Sequence, residues 1–347
     1  MANNSATTNG SNSKAYIILI IGIIALAFTA PWVKQSNFEP ATSVILRVGI
    51  GLLFLLPFAI REVKKIGKLN KTGVTLSLFA GLFLGIDFTA WNYSIYYVGS
   101  GIASILLNLQ IIILPALAFL FDKERIPKSF FIVAPIMILG VLMTGGIFDS
   151  ADETAGGPLT VYGMNIAVLG TIAGSISGVC YGIYLYTSRK ASRVNAGQIV
   201  QPMAWASLAQ LVAPIIFLFI SGRGFDLTHG VLVNGQLPMN PETTVGDPIT
   251  AMNWFWMIVL ASLGQAIAWT FVQYGAVRLN PTIVAGLLLL SPISTVAIIA
   301  VLLFGEIPST IQILGVILVL AAVAYQNNLH KSIFGKKKPK AESPGTT

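Results

Sequence analysis

Residues 100–127 read SGIASILLNLQIIILPALAFLFDKERIP, and residues 282–308 read TIVAGLLLLSPISTVAIIAVLLFGEIP. Aligned so that Ala103 meets Ala285 and Glu124 meets Glu306, the two stretches also match identically at Leu106, Leu107, Ile111, Ala118 and Leu120. Each is an apolar block followed by a Glu near a helix end and an Ile-Pro pair. A bilayer core about 30 Å thick takes about 20 helical residues at 1.5 Å each, which is the length of each block. The chain therefore contains a collinear internal repeat made of membrane-length segments, and such a repeat governs everything else in the reading.

Outward from these two segments, further apolar blocks follow one another along the chain. The reading places helices near 15–36, 41–61, 72–96, 100–121, 129–148, 159–188, 196–221, 252–276, 281–304 and 309–329. In hydrocarbon every backbone donor and acceptor must be satisfied within its own segment, so blocks of this length are helices. The alternating ten-residue pattern of a transmembrane β-barrel is absent. The composition agrees: 55% of the residues are hydrophobic and only 10% are charged, against about 25% charged in soluble domains. The expected fold is all-α and integral to the membrane.

The third to fifth blocks correspond to the eighth to tenth, so the unit of repetition holds five helices. Five is odd, and the second copy must therefore enter the membrane from the opposite face. The expected organisation is a tail over residues 1–14, a first five-helix repeat over 15–150, an inverted second repeat over 159–330, and a basic tail over 331–347. One long external loop, 222–251, interrupts the second repeat. Inverted repeats are an architecture through which many secondary transporters reach alternating access.

The net charge of +8 raises the question of a nucleic-acid partner, and the placement of the charge answers it. Every Lys and Arg except Lys34, Arg47 and Arg223 falls on one side when the N-terminus is taken as cytoplasmic. That is the bias expected of cytoplasmic loops, and it puts both termini in the cytoplasm. The basic balance is thus a topology signal, and the expected partners are a lipid bilayer and a small molecule, with no nucleic acid. The lone cysteine, Cys180, lies in an apolar block and allows neither a disulfide framework nor a thiolate metal site. Ala25-Leu26-Ala27 has the look of a cleavage site, but the preceding region carries a single charge and the repeat requires this helix.

Two formally charged residues fall well inside the blocks, Arg47 and Asp87. Charges at such depth are costly, and they normally face a bundle interior where they pair or act. Arg47 lies about 9 Å and Asp87 about 13 Å from the outer ends of consecutive helices, at 1.5 Å per residue. Two readings stand: a structural ion pair, or a site in which Asp87 binds a substrate amine or carries a coupling proton. Asp87, Trp91 and Ser94 share one face of their helix by spacing. Trp91 serves either as a site wall or as packing in the outer aromatic belt with Trp32, Tyr96, Tyr97, Trp254 and Trp256. Gln265, Trp269 and Gln273 repeat a polar-aromatic-polar face in the eighth helix, and Asn108 and Gln110 add amides in the fourth. Gly170, Gly174, Gly178 and Gly182 make a flat stripe on the sixth helix, for close packing or for a moving seam, with Tyr181 and Tyr184 beside it.

No HExxH, GxSxG or Walker A sequence occurs, and both histidines, His229 and His330, lie outside the blocks. This speaks against an intramembrane protease, a metal-dependent hydrolase and an ATP-driven pump. No enzyme activity, cofactor or metal is expected.

The stretch Asp87-Phe88-Thr89-Ala90-Trp91-Asn92-Tyr93-Ser94-Ile95, continuing to Leu106-Leu107-Asn108 and Glu124-Arg125, resembles the first repeat of ten-helix drug/metabolite transporters of the EamA type. In the second half Gly264-Gln265, Trp269, Gly286 to Pro292, Gly305-Glu306 and Gln312-Ile313-Leu314-Gly315 fit as well. The resemblance implies a central cavity lined by the first, third, fourth, sixth, eighth and ninth helices. By position that selects Trp32, Asp87, Trp91, Asn108, Tyr181, Gln265 and Trp269 as substrate-binding candidates, with Asp87 and Arg47 as the coupling or ion-pair candidates. It further implies a monomer or homodimer in the cytoplasmic membrane that moves a small amino-acid-like or similar amphipathic metabolite. Export is the expected direction, driven by the substrate gradient or by proton exchange. A polytopic membrane enzyme or sensor without net flux is the alternative. The sequence departs from the pattern at Gln110, opposite Pro292, and in its long loop.

Overall fold

Capping residues set where the helices begin. Glu39 accepts from the backbone N–H of Thr42 at 2.7 Å, with Pro40 in the first turn. Asn70 and Asn165 cap the same way, onto Gly73 and Ala167. Thr250 and Asn253 form a reciprocal capping box. In the computed structural model the described residues are 4–126, 130–146, 160–161, 164–195, 197–221, 249–279, 290–295 and 308–326, with isolated positions between them.

The elements are α1 (Asn4–Ala27), α2 (Thr29–Ser36), α3 (Pro40–Ile66), α4 (Lys71–Val98), α5 (Ser100–Leu106), α6 (Gln110–Asp122), α7 (Phe130–Thr144) and α8 (Ile166–Val194). Then come α9 (Val200–Gln210), α10 (Val212–Ser221), α11 (Ala251–Val259), α12 (Ala268–Arg278), α13 (Leu290–Ser294) and α14 (Thr310–Gln326). A single 3₁₀ turn, Leu107–Leu109, joins α5 to α6, and a π-helical segment, Leu260–Ile267, joins α11 to α12. Two-residue strands at Thr160–Val161 and Met164–Asn165 pair antiparallel just before α8.

Among the described residues seven continuous segments are long and apolar enough to cross a membrane: Ser13–Ser36, Pro40–Ile66, Lys71–Val98, Ser100–Asp122, Ile166–Val194, Val200–Ser221 and Ala251–Val272. Phe130–Thr144 and Thr310–Gln326 are shorter apolar helices. The helix expected at 281–304 lies outside the described residues except for α13 and a few single positions, as do nearly all of the 222–251 loop and the 331–347 tail. Helix α1 starts at Asn4, within the stretch expected as a tail, although its membrane-length portion begins at Ser13.

The outer faces of these helices carry large apolar side chains in the open: Leu53, Phe58, Phe131, Phe219 and Ile220 are all more than 60% exposed. A water-soluble surface does not tolerate such continuous apolar cover, whereas lipid does. The interior is closed by close backbone approach. Helix α4 packs against α8 and α9, α1 against α12, α7 against α14, and α3 against α9 and the π segment. Gly81 and Gly85 on α4 sit directly on the backbone carbonyls of Ala206 and Gln210, and the stripe on α8 rests against α4, α5 and α6.

At the end of the bundle holding Arg61 and Lys64, one carboxylate ties α3 to the start of α9. Glu62 Oε1 accepts from Ile199 N at 2.8 Å, its Oε2 accepts from Gln201 N at 2.8 Å, and Val200 N donates to both oxygens. The first amides of a helix have no internal partner and carry partial positive charge, so an anion there is doubly favoured. Gln198 and Gln201 add donations to Gly67 O, each at 2.9 Å. Glu62→Ala is expected to lower stability by about 2–4 kcal/mol, since it orphans a set of charge-assisted bonds, with Glu62→Gln in between. Thermal unfolding of the detergent-purified variants measures this; melting at the wild-type temperature would make the clamp incidental.

Candidate functional site

The charged residues of the interior come together with amides and aromatic rings where α3, α4, α8, α9 and the 251–278 segment converge. Arg47 on α3 is 2% exposed and Asp87 on α4 is 1% exposed. They lie within electrostatic reach of one another but form no direct ion pair, which corrects the simplest of the expectations. Each instead has a neutral partner. Arg47 Nε donates to Gln265 Oε1 at 3.1 Å, while Ser177 Oγ on α8 donates to Asp87 Oδ1.

Local sequence explains why these groups can meet. Gly51 lies one turn from Arg47, and a Cβ built on it would stand 2.7 Å from Gln265 Cγ. Only a glycine leaves room there for the Gln265 side chain to lie along α3. Gly85 likewise lets the backbone of α9 approach α4, which brings the fully buried Gln210 beside the same network. Gln265 Nε2 then donates to Gln210 Oε1 at 3.4 Å. Gln265 thus bridges the two: its oxygen faces the guanidinium and its NH₂ faces the second amide.

Aromatic rings wall the cluster. The Arg47 guanidinium lies 4.2 Å from the centre of the Phe88 ring and 5.8 Å from that of Trp91. Desolvated contacts of this kind contribute up to about 2 kcal/mol each. Tyr181 stacks on Tyr184 at 5.9 Å, and Trp269 meets both edge-on at 6.0 and 6.2 Å. Both tyrosines are within electrostatic reach of Asp87. Tyr184 also lines a cavity of about 210 Å³ with Ser77, Ser188, Asn195, Gln198 and Met203, whose wall includes Ile199 of the Glu62 clamp. Toward the opposite end Trp32 packs against the apolar cluster of Phe38, Trp91, Tyr96 and Leu260, and stacks on Phe28 at 5.7 Å.

Of the residues singled out from sequence, Arg47, Asp87, Trp91, Tyr181, Gln265 and Trp269 belong to this neighbourhood, and Trp32 borders it. Asn108 does not join it through any side-chain bond: its amide donates to Ser104 O and Ile105 O of its own segment, at the 3₁₀ turn. The side chain of Gln273 lies outside the described residues. Sequence reasoning missed Ser177 and Gln210. Gln210 had a signal, as the lone side-chain amide between Pro202 and Ser221. Ser177 had none beyond being a hydroxyl in an apolar helix.

Several buried polar atoms of the cluster have no hydrogen-bond partner among the described residues: Arg47 Nη1, Trp91 Nε1, Gln210 Nε2 and Trp269 Nε1. Each such atom costs about 1–3 kcal/mol if left unanswered.

A chain whose described residues are mostly helical, with long lipid-facing helices around a buried polar centre, is a multi-pass membrane protein. Residues 13–146 match the model of the EamA-like transporter family, of the drug/metabolite transporter superfamily. No curated protein matches the chain. Among solved structures it is similar to one described only as the crystal structure of a protein, with a TM-score of 0.55 and 14% identity, covering 93% of this chain and 99% of that one. At that identity the likeness concerns the fold alone.

Proposed function

We propose that the protein is a secondary transporter that moves a small amphipathic, amino-acid-like metabolite across the cytoplasmic membrane by alternating access, in the export direction. The observation that carries the reading is the buried Arg47–Gln265–Gln210 and Asp87–Ser177 centre, walled by aromatics, in a chain whose residues 13–146 match the EamA-like transporter family. Ten helices in two inverted five-helix repeats, 15–150 and 159–330, give this centre its two access routes.

The helix contacts support the inverted repeats, because they come in pairs that exchange when the two halves are interchanged. The contact of α4 with α8 has its counterpart in that of α12 with α1, and α6 with α8 in α13 with α1. The contact of α4 with α9 mirrors that of the π segment with α3, while α3 with α9 and α7 with α14 map onto themselves. With both termini in the cytoplasm, the cavity beside Tyr184 lies on the cytoplasmic side and the aromatic cluster around Trp91 and Trp32 closes the outer side. Asp87 contacts the cargo or carries an exchanging proton, and flux runs on the substrate gradient or on proton exchange.

Reconstitution in liposomes holding only this protein tests the reading against that of a membrane enzyme or sensor. The panel is amino acids, nucleosides, sugars, sugar phosphates and organic cations. Saturable uptake accelerated by the same solute on the far side of the membrane is expected for one class. A ligand that binds tightly yet is never carried across would sink the transport proposal.

A further inference from the structure

The unanswered atoms of the Arg47 network are all donors, and this one-sidedness identifies what is missing. Arg47 Nη1, Gln210 Nε2 and Trp91 Nε1 belong to side chains only 2%, 0% and 6% exposed, and none has an acceptor among the described residues. Gln265 Oε1 accepts from Arg47 Nε alone among the described residues, and no bond runs from it to Nη1 or to the other two donors. Asn92 Oδ1 is a buried acceptor without a partner, but the same amide donates to Pro40 O at the first residue of α3, two turns away from Arg47. The hydroxyls of Thr42 and Ser43, also without partners, lie in that same end of α3 and can serve as donor or acceptor.

We infer that Arg47, Gln210 and Trp91 form the subsite for a carboxylate of the cargo, and that the cargo carries a compensating cation. The inference rests on the transporter reading and specifies which end of the solute goes where. A carboxylate offers two oxygens in one plane, which suits the fork of a guanidinium together with neighbouring N–H donors. Charge decides between anions. The described centre holds a single basic side chain, Arg47, and a single carboxyl group, Asp87, within electrostatic reach of one another. A phosphate would bring up to two further negative charges into a buried site with a single cation, and uncompensated buried charge is strongly unfavourable. A zwitterion leaves the balance unchanged: its carboxylate faces Arg47 and its ammonium faces the Asp87 side. Gln265 touches no cargo; it is a positioning residue that orients the guanidinium.

The test is a thermal-shift titration of the purified full-length protein. The probes are the common amino acids, then the methyl ester and the N-acetyl derivative of whichever stabilises most, with inorganic phosphate and glycerol phosphate alongside. The free amino acid is expected to bind about 10- to 100-fold more tightly than its methyl ester, the range for losing hydrogen bonds to a charged group. Trp91→Phe keeps an aromatic ring but has no N–H, and Gln210→Leu keeps the volume but has no NH₂. Both are expected to shrink the gap between acid and ester, and Arg47→Gln to abolish it. If Arg47→Gln does not yield folded protein, the other two variants decide the matter. The inference is overturned if acid and ester bind alike, if the gap survives in both Trp91→Phe and Gln210→Leu, if a phosphate probe is preferred, or if no amino acid stabilises the protein. An acid that binds with this signature but is not carried into vesicles would sink the transport reading and leave the subsite standing. A carried acid whose ester is carried equally well would do the reverse.

Discussion

Asp87→Asn is expected to cut flux by about 100-fold or more while leaving a folded protein. The side chain is 1% exposed, accepts from Ser177, and supplies the negative charge facing Arg47 and the tyrosines of α8. Asparagine has nearly the same shape, so packing survives, and its amide oxygen can still accept from Ser177. What disappears is the charge. Removing one member of a buried pair of opposite charges costs about 2–5 kcal/mol, largely because the other is left uncompensated, and every 1.4 kcal/mol is tenfold in an equilibrium constant. Ser177→Ala isolates the hydrogen bond from the charge and is expected to cost about tenfold. Initial rates of counterflow in proteoliposomes give both numbers. Flux at the wild-type rate in Asp87→Asn would reduce Asp87 to a packing residue.

The second large effect concerns folding. In Gly81→Val the new Cβ would fall inside the backbone carbonyl of Ala206, on the adjacent helix. A side-chain obstacle can rotate away; a carbonyl in the middle of α9 cannot move unless the two helices part. Overpacking by even a methyl group costs about 1–3 kcal/mol, and parting α4 from α9 also strips the contacts that seat Gln210. We expect no monodisperse protein from Gly81→Val and a clearly lowered melting temperature for Gly81→Ala. Gly49 provides the control, since nothing lies within 4 Å of a Cβ there. Gly49→Ala is expected to be neutral or to stabilise by up to about 1 kcal/mol through helix propensity. Gel filtration and thermal unfolding of the three variants separate close helix approach from a general intolerance of change at glycine. A well-behaved Gly81→Val would show that α4 and α9 are free to part.

The membrane helices were legible because hydrophobic block length is a strong signal that needs no partner to be read. Arg47 and Asp87 were legible for the opposite reason, as charges where charges are rare. What sequence could not supply was the pairing across helices. Arg47 and Asp87 sit at similar depth on consecutive helices, and depth alone suggests that they meet. Each instead turns to a helix from the second half, toward Gln265 and Ser177, because rotation about the helix axis decides which face meets which neighbour. Asn108 differs in the converse way. Its amide looked like a site donor, but the 3₁₀ turn leaves carbonyls within its own segment that take those bonds. Glu62 and Glu39 were read past altogether, since a carboxylate at a helix end looks ordinary until the amides or the Tyr93 hydroxyl it accepts from are seen.

The π-helical segment at Leu260–Ile267 gives the second half a property that the straight helices lack. A wide turn accommodates an extra residue, so everything after it is set out of phase with everything before it. Gln265 lies within this turn and Trp269 just beyond it. Deleting one residue from 260–264 would let the segment wind as an ordinary α-helix, in which each residue advances by about 100°. Gln265 and Trp269, four residues apart and so on one face of such a helix, would then turn together away from the centre, relative to the face by which α11 packs on α2 and α3. The wide turn therefore works as a vernier: it sets the relative rotation of the two contact faces of one continuous helix. Natural variation in this segment should run to changes of side chain and spare its length.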